Sequence, residues 1–207
     1  MDEAEGQHLP GASRIVVAAL GDSITAGNPG WDPDPERRKL EDPGDDETSQ
    51  YLYWAQAQDP RLDCRNLGVG GERTDQIKAR LPAAVAGADV LVVQGGINDI
   101  VQGRAVELAA NDLRAMVKEG KAAGLQVVIA EVLPWNNGWP DADPQIRALN
   151  DAIRRIGDRE GIRVLPFYEM LEDPERPGRM RAAWTADGNH PSVEGHRRLG
   201  EQAFSVA

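Results

Sequence analysis

Short apolar segments of strand length alternate along this chain with segments of helical periodicity. The strand-like segments are rich in Val and Ile and are typical of strands buried on both faces; they are 15–20, 62–67, 89–94, 126–132 and 162–167. The segments with helical spacing lie between and after them; they are 105–123, 145–159 and 193–203. The alternation predicts an α/β fold with a five-stranded parallel sheet, arranged as a flavodoxin-like three-layer α/β/α sandwich.

The chain has 207 residues, enough for one domain with a buried core. We expect that domain to span 14–207, after a polar and acidic N-terminal tail at 1–13. Residues 28–49 are rich in Pro and Asp and too long for an ordinary connection. This segment is either a solvated insertion or a lid over the site.

The formal net charge is -11, which argues against nucleic acid and anionic membranes as partners, because both attract basic surfaces. No apolar run approaches the roughly 18 residues of a membrane span. The tail lacks the apolar segment of a signal peptide, so a cytoplasmic location is the default expectation, and a secreted one if a signal was removed. Cys64 is the only cysteine, which excludes an internal disulfide. The sequence leaves the oligomeric state open.

A serine, Ser23, follows the first predicted strand within the sequence GDSIT. A serine hydroxyl needs an adjacent base to act as a nucleophile, and near neutral pH that base is usually histidine. The chain has three histidines: His8 lies in the tail, and His196 lies in the last predicted helix, where packing or surface exposure is the expected role. His190 remains, and Asp187, three residues earlier in a turn, is able to hold its ring.

Acyl transfer also needs hydrogen-bond donors directed at the developing oxyanion. Glycines at 68, 70 and 71 follow the second predicted strand and allow a backbone N–H to approach a substrate closely. Asn98 follows the third strand and offers a side-chain amide, and the N–H of Ser23 is a third donor. Because the carboxyl ends of parallel strands share one edge of the sheet, these groups are expected to gather there.

Four segments together resemble the sequence blocks of the SGNH hydrolases, also called GDSL esterases and lipases. They are GDSIT at 21–25, NLGVGGERT at 66–74, GIND at 96–99 and DGNH at 187–190. The resemblance extends over nearly the whole chain. It implies that Ser23 is the nucleophile of a Ser23-His190-Asp187 triad, and that Gly71 and Asn98 complete the oxyanion hole.

The second block departs from the family pattern, since Glu72-Arg73-Thr74 stands where Asp-Thr-Thr is common. Gly70 is therefore an alternative to Gly71 as the oxyanion glycine. The resemblance further implies a small-molecule ester substrate and neither a metal nor an organic cofactor. We expect Asp22 and Asp99 to brace their loops.

Four of the five tryptophans fall in loops expected at the catalytic edge; they are Trp31, Trp135, Trp139 and Trp184. Such side chains either wall an acyl pocket, form a stacking platform for sugar rings or cover the cores of the loops. The pattern favours a serine hydrolase that cleaves short-acyl carboxylic esters.

Several alternatives stay open. A carbohydrate O-deacetylase, a thioesterase or a lysophospholipase of the same family would carry the same blocks. A flavodoxin-like module that binds phosphate is disfavoured, because the sequence has no Walker-type loop and Arg73 follows the glycines at 68 and 70 where a third glycine is needed. An ordinary α/β-hydrolase requires G-x-S-x-G, which the sequence lacks.

Overall fold

A computed structural model describes residues 13–27, 47–185 and 187–206. Five strands form one sheet in the order β2-β1-β3-β4-β5; they are β1 (Ile15–Gly21), β2 (Leu62–Gly68), β3 (Val90–Val93), β4 (Gln126–Ala130) and β5 (Arg163–Leu165). Every neighbouring pair is parallel, which confirms the predicted five-stranded parallel sheet. The strand order changes direction between β1 and β3, and α/β sheets bind ligands at such a switch point.

Helices follow the strands as the alternation predicted. In chain order they are α1 (Ser23–Ala26), α2 (Tyr51–Gln58), α3 (Thr74–Ala79), α4 (Leu81–Ala84), α5 (Ile97–Val101), α6 (Val106–Ala122), α7 (Ala142–Glu160), α8 (Phe167–Leu171) and α9 (Val193–Arg198). Of these, α1 and α5 begin just beyond the ends of β1 and β3 at the switch point. None of the helices in the described part of the chain is long and apolar enough to cross a membrane.

The sheet is buried on both faces, so its side chains contribute to two hydrophobic cores, one on each face. On one face Val17 and Ala19 pack with residues of α2, α8 and the C-terminal segment. On the other face Leu20 packs with residues of α3, α4, α6 and α7. The three central strands, β1, β3 and β4, are apolar at nearly every position for this reason. The edge strand β2 is covered less completely and carries Asp63, Arg65 and Asn66.

Three element boundaries differ from the sequence-based expectation, each for a local reason. β4 ends at Ala130 because the side chain of Asn150, on α7, binds both the N–H and the carbonyl of Val132 (2.8 and 2.9 Å). β5 ends before Pro166, the N-cap of α8, and Pro has no N–H for a sheet hydrogen bond. The closing helix ends as α at Arg198 and continues as one π-helical turn, Leu199–Ala203.

A small antiparallel hairpin, β6 (Glu172–Asp173) and β7 (Arg176–Met180), was not expected from the sequence. The end of the predicted insertion, Glu47–Ser49, forms a 3-10 turn in which Ser49 is buried. The rest of the 28–49 segment lies outside the described residues, as does the tail up to residue 12. The choice between an insertion and a lid therefore stays a prediction.

Buried and exposed leucines of α6 are expected to contribute differently to the stability of the fold. Leu113 is fully buried against the sheet, whereas Leu108 on the same helix is 49% exposed. Replacing Leu113 with Ala is expected to lower the free energy of unfolding by about 2–5 kcal/mol, because it leaves a cavity in the core. Leu108→Ala, the matched control, is expected to change it by less than about 0.5 kcal/mol. Urea unfolding measures both, and equal losses would contradict this packing.

Candidate active site

The serine and histidine singled out by the sequence lie within hydrogen-bonding distance. Ser23 is the first residue of α1 and is 8% exposed. His190 lies in the turn before α9, and its Nε2 is 3.1 Å from Ser23 Oγ. On the other side of the ring, Nδ1 is 2.8 Å from Oδ2 of Asp187. The structure therefore brings the three predicted residues into one Ser-His-Asp arrangement, at distances suited to proton transfer.

The turn that carries His190 keeps Asp187 ionised. Oδ1 of Asp187 accepts the backbone N–H groups of Asn189 and His190 at 2.8 and 2.7 Å. Burial raises the pKa of Asp187, but the hydrogen bonds from the His190 ring and from these backbone amides together lower that pKa below its usual value. A carboxylate at this position accepts the proton of Nδ1, which leaves the lone pair of Nε2 facing Ser23.

Three candidate oxyanion donors meet beside the serine. Gly71 has φ +80°, and nothing described lies within 4 Å of the position a Cβ would take, so its backbone is open to an incoming substrate. Asn98 Nδ2 donates to the carbonyl of Glu72 at 3.0 Å, which leaves its second N–H available. The N–H of Ser23 is at the start of a helix and has no intrahelical acceptor. Gly71, rather than Gly70, lies on the cavity wall with Ser23 and Asn98.

Asp99 joins the two loops that carry Gly71 and Asn98. Its buried carboxylate accepts the N–H and the hydroxyl of Thr74, both at 2.9 Å, and pairs with Arg104. Thr74 begins α3 three residues after Gly71, and Asp99 directly follows Asn98. The carboxylate therefore fixes the distance between the two candidate donors, which is the bracing role expected for it.

Asp22 braces the segment that carries Ser23. Its Oδ1 accepts the N–H of Ile24 at 3.0 Å, and its own N–H donates to Gln94 Oε1 at 3.2 Å. The same Gln94 oxygen accepts the hydroxyl of Thr25 at 2.8 Å. Burial raises the pKa of Asp22 to about 6, against the lowering effect of its hydrogen bonds. These contacts hold the short helix of Ser23 against the end of β3.

An apolar cavity of about 230 Å³ opens beside the serine and the histidine. Its apolar wall comes from α1, from α5 and from the loop after β4; it consists of Ile24, Ile97, Val101, Val132, Leu133, Pro134 and Trp135. Its polar groups are Ser23, Gln94, Asn98, Asn189 and His190, together with the backbone of Gly71. A cavity that is mainly apolar, with a few polar groups at the reactive atoms, suits an acyl group joined to a polar carbonyl.

The four tryptophans predicted to form the pocket differ in where they lie relative to the cavity. Trp135 lies on the cavity wall, and its indole N–H donates to Asn189. Trp139 packs edge-on against Trp135, with ring centroids 5.1 Å apart, and is 38% exposed. Trp31 lies outside the described residues.

Trp184 does not line the cavity, so this part of the predicted pocket is corrected. Its ring stacks with the guanidinium groups of Arg181 and Arg198, at 4.8 and 4.3 Å from the ring centroid, which hold it on the side of α9. His196, expected either to pack in the core or to lie at the surface, is buried on α9, and this burial lowers its pKa to about 3. A neutral buried imidazole fits that packing role.

The loop after β4 holds the turn that carries Asp187 and His190, which the sequence analysis missed. The N–H of Asn136 donates to the carbonyl of Gly188 at 2.8 Å, and the amide of Asn137 donates to the carbonyl of Asp187 at 2.7 Å. These bonds join segments about 50 residues apart, and no sequence spacing reports them. The one available signal was the position of both asparagines directly after a strand-end segment.

Within the described ranges, no group of three or more His, Cys, Asp or Glu is placed to hold a metal ion.

Comparisons with known structures give the same fold. A G-D-S-L family protein from Desulfitobacterium hafniense is 20% identical, with a TM-score of 0.74 over 91% of this chain and 97% of that one. A member of the lipolytic protein G-D-S-L family from Veillonella parvula is 20% identical, with a TM-score of 0.71 over 90% and 94%. A mutant of Axe2, an acetyl-xylooligosaccharide esterase from Geobacillus stearmophilus, is 20% identical, with a TM-score of 0.70 over 91% of each chain.

Sequence comparison gives the family. Comparison with curated proteins finds no match. The family model of the GDSL-like lipases and acylhydrolases, which are hydrolases, matches residues 19–198 and so includes all four sequence blocks. The predicted resemblance is thereby confirmed, and the chain belongs to the GDSL-like lipase/acylhydrolase family.

Proposed function

We propose that this protein is a serine hydrolase that cleaves carboxylic esters with short acyl chains. The observation that carries the proposal is the contact of Ser23 Oγ with His190 Nε2, 3.1 Å apart, at the polar end of an apolar cavity. A serine beside an ordinary packing histidine would need neither a carboxylate behind the ring nor an open cavity in front of the hydroxyl. Both are present here.

In the first half of the reaction, Ser23 Oγ attacks the ester carbonyl while His190 Nε2 takes the hydroxyl proton. The N–H groups of Ser23, Gly71 and Asn98 stabilise the negative charge on the carbonyl oxygen. Asp187 balances the charge of the protonated ring. As the tetrahedral intermediate collapses, the bond to the alcohol oxygen breaks, His190 returns its proton to that oxygen, and the acyl group stays on Ser23.

In the second half, water replaces the alcohol. His190 takes a proton from the water, whose oxygen attacks the acyl-serine carbonyl. The same donors stabilise the second oxyanion. The bond to Ser23 Oγ then breaks, the serine regains its proton from His190, and the carboxylic acid leaves the cavity.

The short-acyl assignment rests on the size and chemistry of the cavity. Its volume of about 230 Å³ is below the roughly 300–1,000 Å³ of pockets that hold drug-sized ligands. The rest of the wall is apolar and includes the indole ring of Trp135, against which Trp139 packs. A short acyl chain fits this space without burying polar atoms.

A carbohydrate O-deacetylase is the second candidate. The Axe2 relative is an acetyl-xylooligosaccharide esterase, and the partly exposed ring of Trp139 lies near the cavity, where it is able to stack on a sugar. An acetyl group is the shortest acyl chain that the proposed pocket would take. Comparing acetylated xylo-oligosaccharides, acyl-CoA, lysophospholipid and p-nitrophenyl esters as substrates separates this candidate from a thioesterase or lysophospholipase.

The nucleophile is testable by covalent labelling. A fluorophosphonate is expected to modify the protein at Ser23, because His190 activates that hydroxyl and the oxyanion donors bind the phosphonyl oxygen. Peptide mass spectrometry locates the adduct, and Ser23→Ala should abolish both the adduct and ester hydrolysis. Ser13→Ala, which removes the hydroxyl of an exposed residue before β1, at the opposite end of the sheet, is the control and should label normally. Absence of labelling in folded protein would contradict the mechanism.

The oxyanion role of Asn98 predicts a loss in turnover. Asn98→Ala is expected to lower kcat by about 10²–10³-fold, because one donor to the transition state is removed. KM is expected to change little, since the ground-state ester gains less from that donor. Steady-state kinetics with a p-nitrophenyl ester checks this, with thermal unfolding as the test of fold. A loss that falls entirely on KM would assign Asn98 to ground-state binding instead.

The tryptophan wall predicts acyl-chain preference. Replacing Trp135 and Trp139 together with Ala is expected to shift the best p-nitrophenyl ester toward longer acyl chains, because the cavity loses the indole ring of Trp135 from its wall and the ring that packs behind it. Trp184→Ala, a tryptophan off the cavity wall, is the matched control and should keep the wild-type preference. Relative kcat/KM over a series from acetate to decanoate measures the effect. An unchanged preference in the double variant would rule out the aromatic wall.

A further inference from the structure

One arginine links three segments of the catalytic edge. Arg80 lies at the end of α3, and its side chain extends back to the ends of the first two strands. Its Nη1 donates to the carbonyl of Leu67 at 2.7 Å, and its Nη2 donates to the carbonyl of Gly21 at 3.0 Å. Gly21 is the last residue of β1, two positions before the nucleophile. The guanidinium therefore bridges β1 and β2 where the nucleophile loop begins.

The same guanidinium holds the oxyanion loop. Its Nε donates to Oε2 of Glu72 at 2.9 Å, and its Nη2 is 2.7 Å from that oxygen. Glu72 directly follows Gly71, and its backbone carbonyl accepts the amide of Asn98 at 3.0 Å. A continuous path of polar contacts thus runs from the end of β1, through Arg80 and Glu72, to both candidate oxyanion donors outside the nucleophile itself.

We propose that Arg80 and Glu72 are a pair of positioning residues that sets the geometry of the oxyanion hole. The inference deepens the proposed esterase function and rests on it. Neither side chain lines the cavity, so neither is placed to touch substrate; the pair acts through the Gly71 backbone and the Asn98 amide. The proposal also assigns a role to Glu72, which differs from the residue common at this position of the family block.

The chemistry of the pair fits positioning. A guanidinium is a planar fork whose N–H groups point in fixed directions, so it is able to serve two carbonyls and a carboxylate at once, whereas a lysine ammonium lacks that geometry. The side chains of Arg80 and Glu72 are 29% and 19% exposed, so water screens their attraction only in part. Oxyanion donors act only when they lie about 2.7–3.1 Å from the developing charge, so small shifts of the loop reduce turnover.

The path through Asn98 separates positioning from plain structural support. Loss of an ion pair that only stabilises the fold would lower the melting temperature without a specific effect on turnover. Loss of a positioning pair lowers kcat and leaves KM nearly unchanged. It also weakens the binding of a boronic acid analogue of the tetrahedral intermediate in proportion to the loss in kcat/KM. The effect of losing the pair is also smaller when Asn98 is already absent, because one of the two groups through which the pair acts is gone.

The experiment compares Arg80→Gln, Arg80→Lys and Glu72→Gln with the wild type. We expect Arg80→Gln to lower kcat by up to about 10²-fold, the scale of loss for misplaced reacting groups. Arg80→Lys should fail to restore it, and Glu72→Gln should lose less because its amide oxygen still accepts a hydrogen bond. In the Asn98→Ala background, Arg80→Gln should cost distinctly less. Arg61→Gln removes an ion pair with Asp59 at the opposite end of the sheet and is the matched control, expected to keep wild-type kinetics.

The outcomes separate this inference from the proposed function. If the wild type hydrolyses esters through Ser23 and folded Arg80→Gln keeps its kcat and its affinity for the boronic acid, the positioning pair is overturned while the esterase stands. An equal loss with and without Asn98 overturns it as well. If the wild type itself neither hydrolyses esters nor labels at Ser23, the proposed function falls and the pair falls with it. Should Arg80→Gln not fold, Glu72→Gln and Arg80→Lys decide by the same two measurements.

Discussion

Parallel pairing of β1 with β2 on one side and β3 on the other is the constraint on which the site depends. The register aligns Gly21 with Gly68 and Leu20 with Val93, so the three strands end at one level. Since both faces of the sheet are covered by apolar side chains, polar groups are largely excluded from the interiors of the central strands β1, β3 and β4. Many of them collect where the strands end, and the loops that carry Ser23, Gly71 and Asn98 start from that same edge.

At this edge the polar groups are joined to one another by hydrogen bonds. Buried Asp22 and Asp99 satisfy the backbone N–H groups of neighbouring loops, and Gln94 receives both a backbone amide and the hydroxyl of Thr25. Each such bond removes freedom from a loop that would otherwise be mobile at a strand end. The resulting site is arranged before substrate arrives, which is how fixed dipoles stabilise a transition state at little cost in reorganisation.

The sequence was sufficient for the fold and for the central residues because both follow from short-range patterns. Strand-length apolar runs and helical spacing predict the layers, and Ser23 and Asn98 are found because each follows a strand. His190 was found because two other histidines could be set aside. By contrast, the end of β4 depends on Asn150 from a distant helix.

The position of Trp184 depends on two arginines whose side chains meet only in the folded chain, and the role of Arg80 depends on carbonyls of two separate strands. These features come from contacts of side chains with other side chains or with backbone groups, which no periodicity in the sequence reports. The same is true of the indole N–H of Trp135, which is bonded to Asn189, the residue before His190. In the proposed enzyme, one side chain therefore limits the space for the acyl group and also supports the turn that carries His190. For evolution or engineering, substrate range and alignment of His190 are then coupled traits: a smaller residue at this position enlarges the acyl space but also removes a donor from Asn189, so a wider substrate range is expected to come with slower turnover.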